Sequence, residues 1–305
     1  MIRKKYISML LLFLAAFLWG LAFVAQGLVA DVHPITVGMV RWLIGAIFLF
    51  FIIMIFDKVN KSGRRLISKK GLDFTKSEVI GGLITGVFVS VASIFQQMGI
   101  SAGTSEGKTA FITTLYVVLV PIYALFLKKR AKINIWIAVS IAIIGFYFLC
   151  IKEGGEGITI SDFWVIVGSL IYPFQILAID YYAPKCDCIR MSCLQFFFAF
   201  LICGALALIL KVPVELDVLS SNILPFLYLG VFSSGIAYTL QMVGQRNVNP
   251  AVASLILSLE SVFALLGGLV VSGNSMTTRE YIGAGLIFFA VLISQIEFKK
   301  KNRVQ

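Results

Sequence analysis

Glu260 is a charged residue inside the otherwise apolar stretch NPAVASLILSLESVFALLGGLVV, residues 249–271. It follows Pro250 by ten residues, which is about 15 Å along an α-helix and therefore near the centre of a membrane about 30 Å thick. An isolated carboxylate at that depth costs roughly 2.5–3.5 kcal/mol on insertion scales, so it should face a cavity, a partner or a proton. Glu260 is therefore a candidate proton carrier or counter-charge for a cationic substrate group, and a hydrogen-bonded packing role is the alternative.

Arg41 is a second charged residue of this kind, in HPITVGMVRWLIGAIFLFFIIMIF, residues 33–56. It follows Pro34 by seven residues, roughly 10 Å along a helix, and its long stem reaches part of the way back to the membrane surface. One interpretation is that the guanidinium binds a substrate carboxylate or pairs with Glu260. The other is that it holds helix ends or a lipid phosphate, and the sequence leaves both open.

Neutral polar and aromatic residues inside apolar stretches are further candidates for binding. Trp19 is too deep for an interfacial belt, and Gly20 beside it allows a close approach by a helix or a ligand. Pro173 removes a backbone hydrogen bond next to Tyr172, which favours a kinked polar patch. Packing and hydrogen bonding between helices are the alternative roles. The predicted substrate-binding residues are Trp19, Gln26, Arg41, Gln97, Tyr116, Tyr172, Gln175, Tyr238, Gln241 and Glu260.

The elements that position these residues follow from the composition. Of 305 residues, 59% are hydrophobic and 13% are charged, which is more apolar than a soluble globular domain. Apolar runs of about 20 residues predict transmembrane helices, whereas the strands of a membrane barrel would alternate in runs of about 10. The prediction is an all-α integral membrane protein with ten transmembrane helices, over residues 6–28, 35–56, 78–98, 105–127, 133–151, 161–182, 190–210, 222–245, 250–271 and 279–298.

Basic residues are unevenly distributed between the loops that these spans define. With the N-terminus inside, 21 of the 26 lysines and arginines fall in cytoplasmic segments and four in outer segments. This positive-inside pattern predicts a multi-pass protein of the cytoplasmic membrane with both termini cytoplasmic. The net charge of +11 therefore does not call for a nucleic-acid partner. The first span follows basic residues as a signal peptide does, but its apolar run is longer, so it should remain as a helix.

The chain repeats itself at an offset of 144 residues. GVFVSVASIFQQM, residues 86–98, aligns without gaps on GVFSSGIAYTLQM, residues 230–242. The same offset carries the fourth span onto the ninth and the fifth onto the tenth, which predicts two five-helix halves, residues 6–151 and 161–298. Because each half crosses the membrane an odd number of times, the halves should be inverted relative to each other, an arrangement typical of secondary transporters. The offset also pairs Tyr116 with Glu260 and Gln97 with Gln241.

Five segments along nearly the whole chain carry a family resemblance: FLAAFLWGLAFVAQ, HPITVGMVRWLIGA, GKTAFITTLYVVLVPIYALFLKK, NPAVASLILSLESVFALLGGLVV and REYIGAGLIFFAVLI. They resemble the drug/metabolite transporter superfamily, EamA type. That resemblance implies ten helices from two EamA repeats, and it implies export of an amino acid or another small metabolite.

The ninth span departs from the family pattern in two places. The pattern often reads Leu-Glu-Pro where this chain has Leu259, Glu260 and Ser261, so a straighter ninth helix is expected. A Gly-Glu pair commonly closes the same helix, and this chain has Gly273 and Asn274 instead. No role is therefore carried over from that acidic position.

The leading hypothesis is a secondary transporter that works by alternating access, with proton coupling through Glu260 as a further hypothesis. A lipid-linked-sugar flippase and a non-transporting membrane sensor or scaffold are the alternatives. The sequence has no GK[ST] phosphate loop, HExxH or GxSxG motif, so no enzyme, cofactor or metal site is predicted. The expected partners are a small-molecule substrate and the lipid bilayer, with no nucleic acid, and a homodimer stays open.

Overall fold

Helices make up all the regular secondary structure of residues 2–59, 73–128, 131–150, 158–272 and 277–295, the parts of the chain that the computed structural model describes. The helices of the N-terminal half are α1 Ile2–Gly27, α2 Pro34–Val59, α3 Lys76–Ser101, α4 Glu106–Thr113, α5 Tyr116–Phe126 and α6 Ile133–Cys150. Those of the C-terminal half are α7 Ile160–Tyr182, α8 Cys188–Ile209, α9 Leu216–Ser221, α10 Ile223–Leu227, a π-helix Tyr228–Tyr238, α11 Thr239–Gln245, α12 Pro250–Leu257, α13 Glu260–Ser272 and α14 Thr278–Gln295.

Within the described residues, eight helical segments are long and apolar enough to cross a membrane. The two remaining predicted spans, the fifth and the tenth, correspond to the shorter apolar helices Ile133–Phe148 and Tyr281–Ser294. The multi-helix membrane architecture is thereby confirmed, whereas the count of ten spans stays a prediction. The predicted ends at residues 151 and 296–298 lie outside the described residues, as do Gly273, Asn274 and the basic loop residues 60–72.

Several helices begin at side-chain caps that are visible in the sequence. Thr75 and Glu78 form a reciprocal capping box at the start of α3, and Thr159 and Asp162 form another at the start of α7. In a capping box, each side chain accepts a hydrogen bond from a backbone N–H that the helix leaves unpaired. Asn249 caps α12 in the same way, accepting from the Ala251 N–H at 3.0 Å. These caps fix where the third, sixth and ninth spans start.

The fourth and ninth spans are interrupted, although both were predicted as continuous helices. One break separates α4 from α5 between Thr113 and Tyr116, and the other separates α12 from α13 between Leu257 and Glu260. The two breaks are 144 residues apart, the offset of the repeat. At the second break, Ser258 Oγ donates to a backbone carbonyl of the preceding turn at 2.8 Å. The interruption forms without a proline, and the expected straighter course of the ninth helix stays a prediction.

The eighth span departs from a simple α-helix in another way. Residues 228–238 form a π-helix, in which backbone N–H groups bond to the carbonyl five residues earlier. Ser234 Oγ follows that spacing and donates to the Leu229 carbonyl at 2.7 Å. Gly230 and Gly235 allow the π-helix to pack closely against α2, because a Cβ atom at either position would collide with Ile44 or Phe48. The predicted span of 222–245 is therefore built from α10, the π-helix and α11.

The main helix contacts join the two halves of the chain. α2 packs against α8, and α6 packs against α14. α3 packs against α7, while α1 packs against the π-helix and α11, which hold the matching places in the repeat. Ion pairs also join the halves, among them Lys108 with Asp162 at 2.5 Å and Arg190 with Asp57 at 3.4 Å. The core therefore depends on both halves being folded together.

Gly20 allows α1 and α13 to approach closely. A Cβ atom at this position would collide with the Phe263 Cβ and would lie 2.8 Å from the Ala264 nitrogen. Small residues at such crossings let helix backbones come into van der Waals contact, which is the main source of helix association in lipid. The close approach that the sequence predicts for Gly20 is therefore made by a helix.

We expect Gly20→Ala to lower the melting temperature of the purified protein in detergent. The added methyl group forces α1 and α13 apart, and overpacking of this kind costs about 1–3 kcal/mol. Gly268→Ala in α13 is the matched control, because a Cβ atom there meets nothing within 4 Å. That variant should melt at the same temperature or higher, since alanine has the better helix propensity. Equal shifts in the two variants would contradict the role given to Gly20.

Candidate functional site

A cavity lies between the two halves of the chain. Its walls come from α1 to α5 on one side and from α7, the π-helix and α11 to α13 on the other. The volume is about 40 Å³, which is room for about three water molecules. Nine of the ten predicted binding residues line it: Trp19, Gln26, Arg41, Tyr116, Tyr172, Gln175, Tyr238, Gln241 and Glu260.

Gln97 is the predicted residue that does not line the cavity. Its side chain is buried and donates to the backbone carbonyl of Gln26 at 3.3 Å, so it joins α3 to α1. Its neighbour Gln96 lines the cavity instead. The repeat alignment matched Gln97 to Gln241, but α3 is α-helical where the eighth span has a π-helical stretch. Gln97 and Gln241 therefore hold matching positions in the repeat, but only Gln241 is on the face of its helix that lines the cavity.

Glu260 and Tyr116 meet in the cavity wall, as their positions in the repeat suggest. The Tyr116 hydroxyl donates to Glu260 Oε1 at 2.9 Å, and both side chains are buried. Each residue is the first of its helix, immediately after the break in the ninth or the fourth span. No basic side chain of the described residues forms an ion pair with Glu260. The carboxyl group therefore faces the cavity with a hydroxyl partner, an arrangement that can hold a proton or a cationic group.

Arg41 lies in the cavity wall contributed by α2 and is 4% exposed. Its Nη2 donates to Ser233 Oγ at 3.0 Å and its Nε to Ser234 Oγ at 3.4 Å. The guanidinium also lies 4.4 Å from the centre of the Trp42 ring, close enough for a cation–π contact. Because the group is buried among protein side chains, anchoring to a lipid phosphate does not fit. The alternative pairing with Glu260 is absent from the ion pairs of the described residues.

Gln96 connects four helices around the cavity. Its Oε1 accepts from Gln26 of α1 at 3.2 Å and from the Tyr172 hydroxyl of α7 at 3.3 Å. Its Nε2 donates to Thr113 Oγ1 at 2.8 Å, at the last residue of α4. Thr113, like Gln96, was not predicted from the sequence, because a polar residue on an apolar helix does not reveal which neighbour it faces. Gln96 thereby ties the first half of the chain to the second.

A second amide pair lies within the C-terminal half. Gln175 Nε2 donates to Gln241 Oε1 at 3.3 Å, and Gln241 Nε2 donates back to Gln175 Oε1 at 3.4 Å. Gln175 follows Pro173 within α7, which continues through the proline without a break. Both side chains line the cavity, so the pair presents amide groups that can exchange partners with a polar solute.

Aromatic rings cover one side of the cavity. The rings of Trp19 and Tyr238 pack edge to face, with centroids 4.5 Å apart. Trp19 Nε1 donates to the Ser233 carbonyl at 3.1 Å, which fixes the indole against the π-helix. Ser233 was not predicted either, and the only signal for it in the sequence is the pair of adjacent serines in an apolar span. The cavity therefore combines rings, amides, hydroxyls, one guanidinium and one carboxyl group.

We expect Gln96→Leu to lower the melting temperature in detergent. The substitution leaves polar groups of Gln26, Thr113 and Tyr172 without their partner, and each buried unpaired group costs about 1–3 kcal/mol. Gln97→Leu is the matched control, one residue along the same helix. Gln97→Leu loses one hydrogen bond, to a Gln26 carbonyl that the Val29 N–H also contacts at 3.3 Å, and it removes an Oε1 that lacks a partner among the described residues. Its melting temperature should therefore fall less than that of Gln96→Leu. The reverse order of the two variants would show that Gln96 is not the connecting residue.

Comparison with known proteins agrees with this architecture. The EamA-like transporter family matches residues 6–151 and again residues 159–295. An uncharacterized transporter from Archaeoglobus fulgidus is 29% identical over 292 residues, which cover 95% of this chain and 86% of that protein. Another, from Clostridium kluyveri, is 21% identical over 276 residues, 88% of this chain and 86% of that protein.

A solved structure, titled only as the crystal structure of a protein, has the same fold. It superposes with a TM-score of 0.71 at 18% identity and covers 94% of this chain and 96% of that one. The family match spans both halves of the chain and includes the helices that line the cavity. The chain belongs to the EamA-like transporter family.

Proposed function

We propose that this protein is a secondary transporter that exports a small metabolite or an amino acid across the cytoplasmic membrane by alternating access. The observation that carries the proposal is the cavity walled by both halves, with polar side chains set in apolar helices. Polar groups at membrane depth are costly and are found mainly along transport pathways or as packing partners. A cavity with room for about three water molecules is too small for most metabolites, so a metabolite would enter as the halves separate.

We further propose ten spans in two inverted five-helix halves, residues 6–151 and 161–298, with both termini in the cytoplasm. The breaks that follow Thr113 and Leu257 lie at matching places of the repeat and support this arrangement. So do the reciprocal contacts of α3 with α7 and of α1 with the eighth span. In such an architecture, rocking one half against the other exposes the site to each side of the membrane in turn.

The alternatives predict different surroundings for the site. A flippase for lipid-linked sugars needs a cavity open sideways to lipid and several basic groups for phosphate. The cavity lining contains Arg41 as its basic residue, and the lining side chains named above are buried except for the half-buried Trp19, which favours a small solute. A non-transporting sensor would use the same cavity for binding without flux.

We expect a thermal-shift screen against amino acids, polyamines and common metabolites to find solutes that raise the melting temperature. A solute that binds the native state alone stabilises it by mass action. The solutes found in this way should then cross the bilayer of proteoliposomes that contain the protein, at a rate well above that of empty liposomes. Binding without flux would favour the sensor over the transporter.

Proton coupling through Glu260 has its own test. Uptake into proteoliposomes with an imposed pH gradient should exceed uptake without one for the native protein. Glu260→Gln keeps the shape and the hydrogen bond from Tyr116 but cannot release a proton, so its uptake should not respond to the gradient. Glu215→Gln, at an exposed carboxyl group without a capping hydrogen bond, is the control and should respond as the native protein does. Equal flux under all conditions would remove proton coupling.

A further inference from the structure

Arg41 is a buried cation without a counter-ion in the described part of the chain. Its hydrogen-bond partners are the hydroxyl groups of Ser233 and Ser234, and its ring contact is to Trp42. All three partners are neutral, so none of them compensates the charge. A buried charge is normally paired or accompanied by groups that neutralise it, because removing it from water is costly.

The titratable groups that face Arg41 are neutral as well. They are Tyr172 of α7, Tyr238 of the π-helix and Cys203 of α8, and none of these side chains carries a charge at neutral pH. Glu260, the acidic residue of the cavity lining, accepts its hydrogen bond from Tyr116 and forms no ion pair with Arg41. The guanidinium therefore faces the cavity with its charge available to a solute.

Arg190 shows how the same fold treats an arginine that has a structural role. It is 1% exposed and pairs with Asp57 of α2 at 3.4 Å. This ion pair joins the two halves near the end of α2 and the start of α8, and neither residue lines the cavity. Arg41 is almost as deeply buried, lacks an acidic partner and lines the cavity. The difference indicates that the missing counter-ion of Arg41 is supplied by what enters the cavity.

We propose, on the basis of the transport function proposed above, that the transported solute is a small carboxylate whose carboxylate group becomes the counter-ion of Arg41. The planar guanidinium binds a carboxylate through two parallel hydrogen bonds. A singly charged carboxylate matches the one guanidinium of the lining, whereas a doubly charged phosphate would keep an uncompensated charge. The rings of Trp19 and Tyr238 would contact an apolar or aromatic body, and the amides of Gln175 and Gln241 its polar substituents.

Matched pairs of acids and amides test this assignment by binding to the purified protein in detergent. The pairs are 3-phenylpropanoate with 3-phenylpropanamide and butanoate with butanamide, which differ in charge but little in shape. At least one acid should bind at least tenfold more tightly than its amide, as measured by isothermal titration calorimetry. Failure of both acids to bind, or equal affinity within each pair, overturns the proposal. Phenyl phosphate is the third arm, and binding as tight as that of 3-phenylpropanoate also overturns it.

Variants separate a binding role of Arg41 from a structural one. Arg41→Gln should abolish the preference for acid over amide, and Arg41→Lys should keep part of it because the charge remains without the planar fork. Without solute, Arg41→Gln should melt at the same temperature as the native protein or higher, since no ion pair is lost. Arg190→Gln, the matched control, should melt lower because it breaks the pair with Asp57. A lower melting temperature for Arg41→Gln with an unchanged acid preference would contradict the proposal.

Flux distinguishes this inference from the proposed function. Radiolabelled 3-phenylpropanoate should exchange across proteoliposomes that contain the native protein. Binding that depends on Arg41 but is not followed by exchange would leave the carboxylate site intact and refute transport. If only neutral or cationic solutes exchange, the protein is a transporter, and the assignment of a carboxylate substrate is refuted.

Discussion

The backbone of a chain in lipid must satisfy its own hydrogen bonds, and the rest of this structure depends on that constraint. Helices meet it everywhere along the apolar segments, so departures from regular helix are tolerated only where side chains or a cavity replace the missing partners. The departures in this protein are the breaks before Tyr116 and Glu260 and the π-helix of the eighth span. All of them contribute residues to the cavity, so irregular backbone and polar site occur together.

The sequence was sufficient for the membrane class and for most of the cavity lining. Charged and polar residues stand out in apolar spans because lipid admits few of them, and this identified Arg41, Glu260 and the paired Tyr116. It could not identify Gln96 over Gln97 or foresee Ser233, because the face that a residue presents depends on helix register. A π-helix changes that register, and whether one forms depends on packing against α2, which no local pattern in the sequence records.

The contacts that close the cavity are individually weak. Gln96 holds Gln26, Thr113 and Tyr172 through single hydrogen bonds between neutral groups, and each is worth about 1 kcal/mol net. A solute that replaces two or three of them as the halves separate would offset that part of the cost of opening. A strong ion pair at the same place would hold the site shut, since breaking it would leave a charge unpaired. Neutral amides would therefore suit the opening and closing that the proposed transport cycle requires.

Arg41 and Glu260 both line the cavity but are held apart by different partners. If Arg41 and Glu260 paired with each other, their attraction would be satisfied within the protein and neither would distinguish between solutes. Tyr116 holds the carboxyl group and the serines of the π-helix hold the guanidinium, so each charged group is kept in place by a neutral hydroxyl. A hydroxyl orients a charged group without neutralising it. If the proposed carboxylate binds here, its attraction to Arg41 is not already spent on an acidic side chain of the protein, because the partners of Arg41 are neutral hydroxyl groups.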